Sequence, residues 1–99
     1  MTKLVDLEAE FIRYNKPGHI TRVLTLAEAD GVMFLCPKCE THTVICWFRD
    51  RLVPVDESPA PGRWTPSGAD IHDLTLSPSI NLLGEGCRWH GFVRNGDAT

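Results

Sequence analysis

The sequence predicts a single small, mainly β domain, zinc-ribbon-like, of about five to six strands held by two metal knuckles. Three observations carry this reading. Short apolar runs with period-two alternation recur along the chain, separated by clusters of Gly, Pro, Asn and Asp. Two donor pairs, Cys36-Pro37-Lys38-Cys39 and Cys87-Arg88-Trp89-His90, each place their donors three positions apart. A tight turn can aim such a pair at one point, as zinc knuckles do. The chain has 99 residues, which suits one domain over 1–99. A chain of that size buries only roughly 60–70% of its unfolded surface, so a staple helps it.

Taken in order, Val5, Leu7, Ala9 and Phe11 alternate with Asp6, Glu8 and Glu10, the pattern of a half-buried strand. Leu4, Leu7, Phe11 and Ile12 also fit one face of a short helix, but no capping box opens it. The β-rich Phe11-Ile12-Arg13-Tyr14 decides for a strand over 4–14. Lys16-Pro17-Gly18 makes a turn. Ile20 to Leu26 is a second strand, leading to the hairpin signal Asp30-Gly31. Thr25-Leu26-Ala27-Glu28 offers a capping box for one helical turn on the way. Val32-Met33-Phe34-Leu35 then delivers the chain into Cys36.

Thr43 to Phe48 is the outgoing strand. Both of its faces are largely apolar, which predicts a central position. Residues 53–68 hold Pro54, Pro59, Pro61 and Pro66 among glycines and acids. Proline gives no amide hydrogen to a sheet ladder, so this is a long loop, with Trp64 as its anchor. Leu74, Leu76, Ile80 and Leu82 alternate with Thr75, Ser77, Ser79 and Asn81. That is a strand with an apolar inner face, and Pro78 places it at an edge or a bulge. Gly84-Glu85-Gly86 turns into Cys87, Gly91 to Arg94 forms a last strand, and Asn95-Gly96 ends it.

The chemistry follows from the donor pairs. Cys36, Cys39, Cys87 and His90 make a three-thiolate, one-imidazole set suited to tetrahedral Zn²⁺. His42, three residues after Cys39, is the alternative fourth ligand, or a group hydrogen-bonded beside the thiolates. Cys46 lies in an apolar strand and reads as a core residue. Glu40 stands where knuckles often carry glycine. Four protein ligands leave no open position for hydrolysis, and neither His42-Thr43-Val44 nor His72-Asp73-Leu74 has the H-x-E pattern of zinc deaminases. Asp70, His72 and Asp73 read as a solvated turn, so no catalytic residue is assigned.

The net charge of −3 disfavours a broad phosphate-binding face, and nucleic acid ranks last among partners. No apolar run approaches the ~18–20 residues of a membrane span. Met1 to Asp6 lacks the features of a signal peptide. A reducing cytoplasm is the expected location, where cysteines at these spacings bind metal rather than form disulfides.

The order of a knuckle, a Trp-containing middle, Leu76-Ser77-Pro78-Ser79-Ile80 and Cys87-Arg88-Trp89-His90 resembles a small family of bacterial and phage proteins thought to bind metal. Bacterial members are similar to proteins encoded beside ubiquitin-like conjugation genes. Phage relatives are often labelled ammonia monooxygenase, a name nothing in these residues supports. The resemblance spans roughly residues 17–96. Bacterial members tend to show a glycine-rich Cys-x-Cys-Gly-Cys pattern where this chain has Cys-Pro-Lys-Cys. It implies a cytoplasmic metal-binding β domain and no established activity.

The leading expectation is therefore a structural-zinc module that binds an unidentified protein. Its surface would be Thr75, Ser77, Ser79 and Asn81 with Trp64, or the 53–68 loop. The alternatives are an enzyme or accessory enzyme subunit, in a ubiquitin-like conjugation pathway or as a zinc hydrolase, and a nucleic-acid-binding zinc ribbon.

Overall fold

The computed structural model describes residues 2–54, 56–57, 62–81 and 87–99, and within them two antiparallel sheets face each other across one core. In chain order the strands are β1 (Thr2–Lys3), β2 (Glu10–Lys16), β3 (His19–Val23), β4 (Gly31–Leu35), β5 (Thr43–Trp47), β6 (Thr65–Ser67), β7 (Thr75–Asn81), β8 (His90–Arg94) and β9 (Asp97–Ala98). One sheet runs β1-β9-β8-β7-β6 and the other β3-β2-β4-β5. The mainly β expectation holds, with nine strands among the described residues instead of five or six.

The chain's first apolar stretch departs from the expected strand. Leu4–Leu7 is a turn of 3₁₀ helix, ending at Glu8 in a left-handed conformation (φ 54°). Residues i and i+3 eclipse in a 3₁₀ turn, so Leu4 and Leu7 are both fully buried while Val5 is 44% exposed. Burying the two leucines outweighs the period-two pattern, since each contributes roughly 1.5–3 kcal/mol when removed from water. The strand proper starts at Glu10, and Phe11 and Ile12 enter the cores on its two faces.

Phe11, Val32, Phe34, Cys46 and Phe48 from the second sheet meet Leu74, Leu76, Ile80, Trp89 and Val93 from the first. Phe34 and Trp89 pack edge to face across this seam, with centroids 6.0 Å apart. A smaller cluster of Ile12, Trp47 and Val53 lies on the opposite face of the second sheet, with Tyr14, Met33 and Ile45.

Two other placements differ from expectation. β5 stands at the end of its sheet rather than in the middle. Both faces are apolar because Val44 and Cys46 join the main core and Ile45 and Trp47 the smaller cluster. The following segment closes the outer edge: Trp64 N donates to Trp47 O (3.0 Å) and Arg49 N to Trp64 O (2.7 Å). Trp64 is thus the anchor expected of it. The 53–68 stretch is not all loop, because Thr65–Ser67 pairs with β7, and Pro66 is tolerated there on an edge strand. β7 is consequently internal over Thr75–Ser77. Pro78 marks a bulge: the register shifts between Leu76↔Val93 and Ile80↔Gly91. The expected turn at 84–86 and the inward Leu82 lie outside the described residues. Asn95 and Gly96, both left-handed (φ 48° and 78°), form the β8–β9 hairpin turn. Among the described residues no helix is long and apolar enough to cross a membrane.

Candidate functional site

Strand β4 ends at Leu35, and the chain turns immediately through Cys36-Pro37-Lys38-Cys39. Glu40 N donates to Cys36 O (2.8 Å) and Cys36 N to His42 O (2.9 Å), which closes the turn on itself. Glu40 is left-handed (φ 55°), so the turn needs the conformation that glycine would supply most cheaply. Cys36 is buried, and Cys39 and His42 are half-buried. Cys87 arrives from the other sheet's side of the molecule, its Sγ 3.7 Å from that of Cys36. The Cys39 Sγ lies 3.1 Å from His42 Nδ1.

The donor atoms of Cys36, Cys39, His42 and Cys87 all fall within 4.8 Å of one another. Tetrahedral bonds of about 2.3 Å to sulfur and 2.0–2.1 Å to nitrogen separate donors by roughly 3.4–3.8 Å. The cluster therefore fits a metal ion and could hold one. Its electrostatics suit the same role. The Thr41 hydroxyl (3.2 Å) and then its backbone amide donate to Cys39, holding that thiol down to about 6. Burial, followed by the neighbouring Cys39 and Cys36 sulfurs, pushes the Cys87 thiol up to about 11. One thiolate is thus ready-made, and a bound cation would supply the charge that draws the proton from Cys87. Cys46 is in the core, where burial pushes its thiol up, and it is no part of the cluster.

Three of the four expected ligands are brought together, and the fourth is different. His42 occupies the place expected for His90. Cys87 to Trp89 has no regular secondary structure, and His90, which opens β8, is not among the clustered donors.

His90 instead belongs to a second grouping. Ile80 pairs with Gly91 and Asn81 with His90. Ile80 and Gly91 are buried, as are Trp89 and Val93, so alternation turns Ser79, Asn81, His90 and Phe92 to the other face. On that face Ser79 is half-buried and Asn81 and His90 are exposed. Ser77, Pro78 and Ser79 all fall opposite the single residue Phe92, whose ring carries the Arg94 guanidinium 4.0 Å from its centroid. Bulges of this kind commonly re-aim a side chain beside a functional site. The Trp64 Nε1 donates to the Ser79 carbonyl (3.4 Å), anchoring the bulge itself. Ser79 stands diagonal to His90 across the β7–β8 pair, a relation in which Cβ atoms are about 7–8 Å apart or slightly less.

The chemistry of that pair suits acyl transfer, because a serine needs a neighbouring base to become a nucleophile. The family described as bacterial ubiquitination-like system serine protease (BubE) matches residues 9–99. The chain belongs to that family. Comparison with curated proteins and with solved structures gave no match. The BubE match agrees with the resemblance to proteins of ubiquitin-like conjugation systems. Within this BubE member, Thr75 and Ser77 of the expected polar surface have structural tasks: Thr75 Oγ1 accepts from Asn95 N (3.0 Å), and Ser77 pairs with Thr65. The acidic-imidazole cluster is the turn it was expected to be. Asp73 accepts from the amides of Ala69 and Asp70 (2.8 and 2.9 Å), which hold its carboxyl below the usual range, and Asp70 caps His72.

That Ser79 and His90 share one sheet face is not legible in the sequence, where His90 reads as a metal ligand; the β7–β8 register shows it.

Proposed function

We propose that the chain is a serine protease of a bacterial ubiquitination-like system, with Ser79 as nucleophile and His90 as general base. The observation that carries this is the shared exposed face of β7 and β8, which holds Ser79 and His90 beside a bulge. The family's description supplies the reaction class and the setting. A ubiquitin-like protein or its conjugate is the partner, and the polar face of β7 first read as a docking surface becomes the substrate face.

The metal is zinc, held by Cys36, Cys39, His42 and Cys87. When bound it supplies folding free energy and keeps all four positions filled by protein, which leaves the hydrolytic step to Ser79. Three ligands come from the β4–β5 connection and Cys87 from the approach to β8. The clasp therefore ties the two sheets together and fixes where β8 begins. All four cysteines are free thiols, which suits a reducing cytoplasm.

In the reaction the Ser79 Oγ attacks the scissile carbonyl and His90 takes its proton. His90 then returns the proton to the leaving amine, and water releases the acyl group by the same route. The test compares Ser79→Ala with Ser77→Ala on cleavage of a cognate ubiquitin-like fusion. Ser79→Ala should lower kcat/KM by at least about 10⁴ with an unchanged melting temperature, and Ser77→Ala should retain activity. Cleavage by Ser79→Ala at the wild-type rate would sink the assignment.

A further inference from the structure

We propose that Asn81 is the positioning residue for His90, its side-chain oxygen accepting the imidazole N–H so that the other ring nitrogen faces Ser79. The inference rests on the Ser79–His90 reading and adds the third member that the site needs. A neutral imidazole acts as a base only through its unprotonated nitrogen, and a partner on the other nitrogen decides which one that is.

The register makes Asn81 the residue directly across from His90. Facing side chains on neighbouring antiparallel strands have Cβ atoms about 4.5–5.5 Å apart, closer than any diagonal pair. The neighbouring pair, buried Ile80 opposite buried Gly91, holds that register from beneath. A Cβ at Gly91 would collide with the Thr99 carbonyl and lie 2.8 Å from Trp89 Nε1, so the β8 backbone is closely fitted there. Asn81 thus stands directly opposite His90 and Ser79 diagonal to it, two residues apart on one strand and one face.

Among the described residues, the aspartates that could do this work instead are placed elsewhere. Asp97 is opposite Arg94, four residues further along β8, which is about 13 Å of strand. Asp70 and Asp73 are committed to their own turn. A carboxamide orients the ring as a carboxylate would, without stabilising the imidazolium electrostatically. The Cys-His-Asn arrangement of papain-like proteases shows that such a partner suffices.

The test uses the full chain and a fluorophosphonate probe, which needs no knowledge of the natural substrate. Labelling forms a bond between Ser79 Oγ and phosphorus and breaks the P–F bond. Fluoride leaves, and the serine proton passes through His90 to water. Asn81→Ala and Asn81→Ser should lower kinact by about ten- to a hundredfold at unchanged KI. That is a part of the 10²–10⁴ that base catalysis contributes. Asn81→Asp keeps an acceptor and should restore kinact to within about threefold of the wild type. Because Asn81 is exposed, all three variants should melt with the wild type. Wild-type kinact in both Asn81→Ala and Asn81→Ser overturns the proposal. So does an Asn81→Asp variant as slow as Asn81→Ala, since the working group would then be the amide N–H. A wild-type chain that does not label at all overturns the protease reading and this inference with it.

Discussion

Cys36 and Cys39 are separated by two residues, as are Cys87 and His90, and the two pairs meet different backbones. The first lies in a turn closed by Glu40 N to Cys36 O, so both sulfurs reach one point. The second leads into β8, and only its cysteine joins the cluster. Spacing states which donors could converge, but backbone conformation decides whether they do. The turn recovers its fourth ligand locally, from His42 at the next x-x step. That frees the strand's imidazole for the face it shares with Ser79. Identical spacing thus yields a clasp in one place and, in our reading, a base in the other.

The sharpest way to break this comparison is to remove each histidine in turn. Chelation or Cys87→Ser should cost several kcal/mol of stability, toward the ~10 kcal/mol that zinc contributes in zinc-finger peptides. His42→Ala should weaken metal binding by more than about a hundredfold, since even outer-shell partners are worth 10–100-fold. His90→Ala should keep one metal ion per chain and the wild-type melting temperature while losing cleavage. Elemental analysis and thermal melts of the three variants read this directly. Metal loss in His90→Ala with retention in His42→Ala would reverse the assignment of the two imidazoles.

A smaller effect tests the electrostatics within the clasp. Thr41 holds the Cys39 thiol down to about 6, so above that pH metal binding need not compete with a proton at this sulfur. Below it one further proton competes, and log affinity should fall more steeply as the pH drops. Thr41→Ala removes the largest of the lowering contacts and moves the thiol back toward its ordinary range. Affinity at pH 7 should then fall by up to about a hundredfold, the proton competition of a thiol at its ordinary value, with no more than about a twofold change at pH 9. Competition against a chromophoric chelator between pH 5.5 and 9 measures both. A parallel drop at pH 7 and pH 9 would show that Thr41 supports the turn's shape instead of the thiolate.

Much of this was legible in the chain itself. The alternation of Leu74, Leu76 and Ile80 marks β7, and its proline marks the bulge, because burial on one face imposes period two. Cys36, Cys39 and Cys87 were readable as members of one donor cluster because thiols at turn spacing can be aimed at one point. Leu4 and Leu7 misled because two leucines three apart satisfy a 3₁₀ turn as well as a neighbouring strand pattern. The 3₁₀ turn wins only because the core lies on one side of it. His90 facing Asn81 was out of reach, since β7–β8 register is set by how the bulge absorbs its extra residues. No local pattern records that number.

The smallest effect concerns the residue after each pair. Glycine follows His90, in the position where a knuckle glycine would stand, and the residue after Cys39 is Glu40. The structure reverses the roles that this order suggests. Gly91 is a strand residue kept small by the Thr99 carbonyl and the Trp89 ring, whereas Glu40 bears the left-handed conformation at φ 55°. A non-glycine residue pays about 1–2 kcal/mol for that region. Glycine relieves it and gives back roughly 0.4–1 kcal/mol through the freer unfolded chain. Glu40→Gly should therefore stabilise the protein by about 0.5–1 kcal/mol, a rise of a few degrees in melting temperature. Gly91→Ala should shift it the other way, because backbone and indole must move to admit the methyl group. A destabilising Glu40→Gly would mean that the carboxylate contributes something to the clasp beyond its backbone angle, and the contrast between the two turns would have to be drawn there instead.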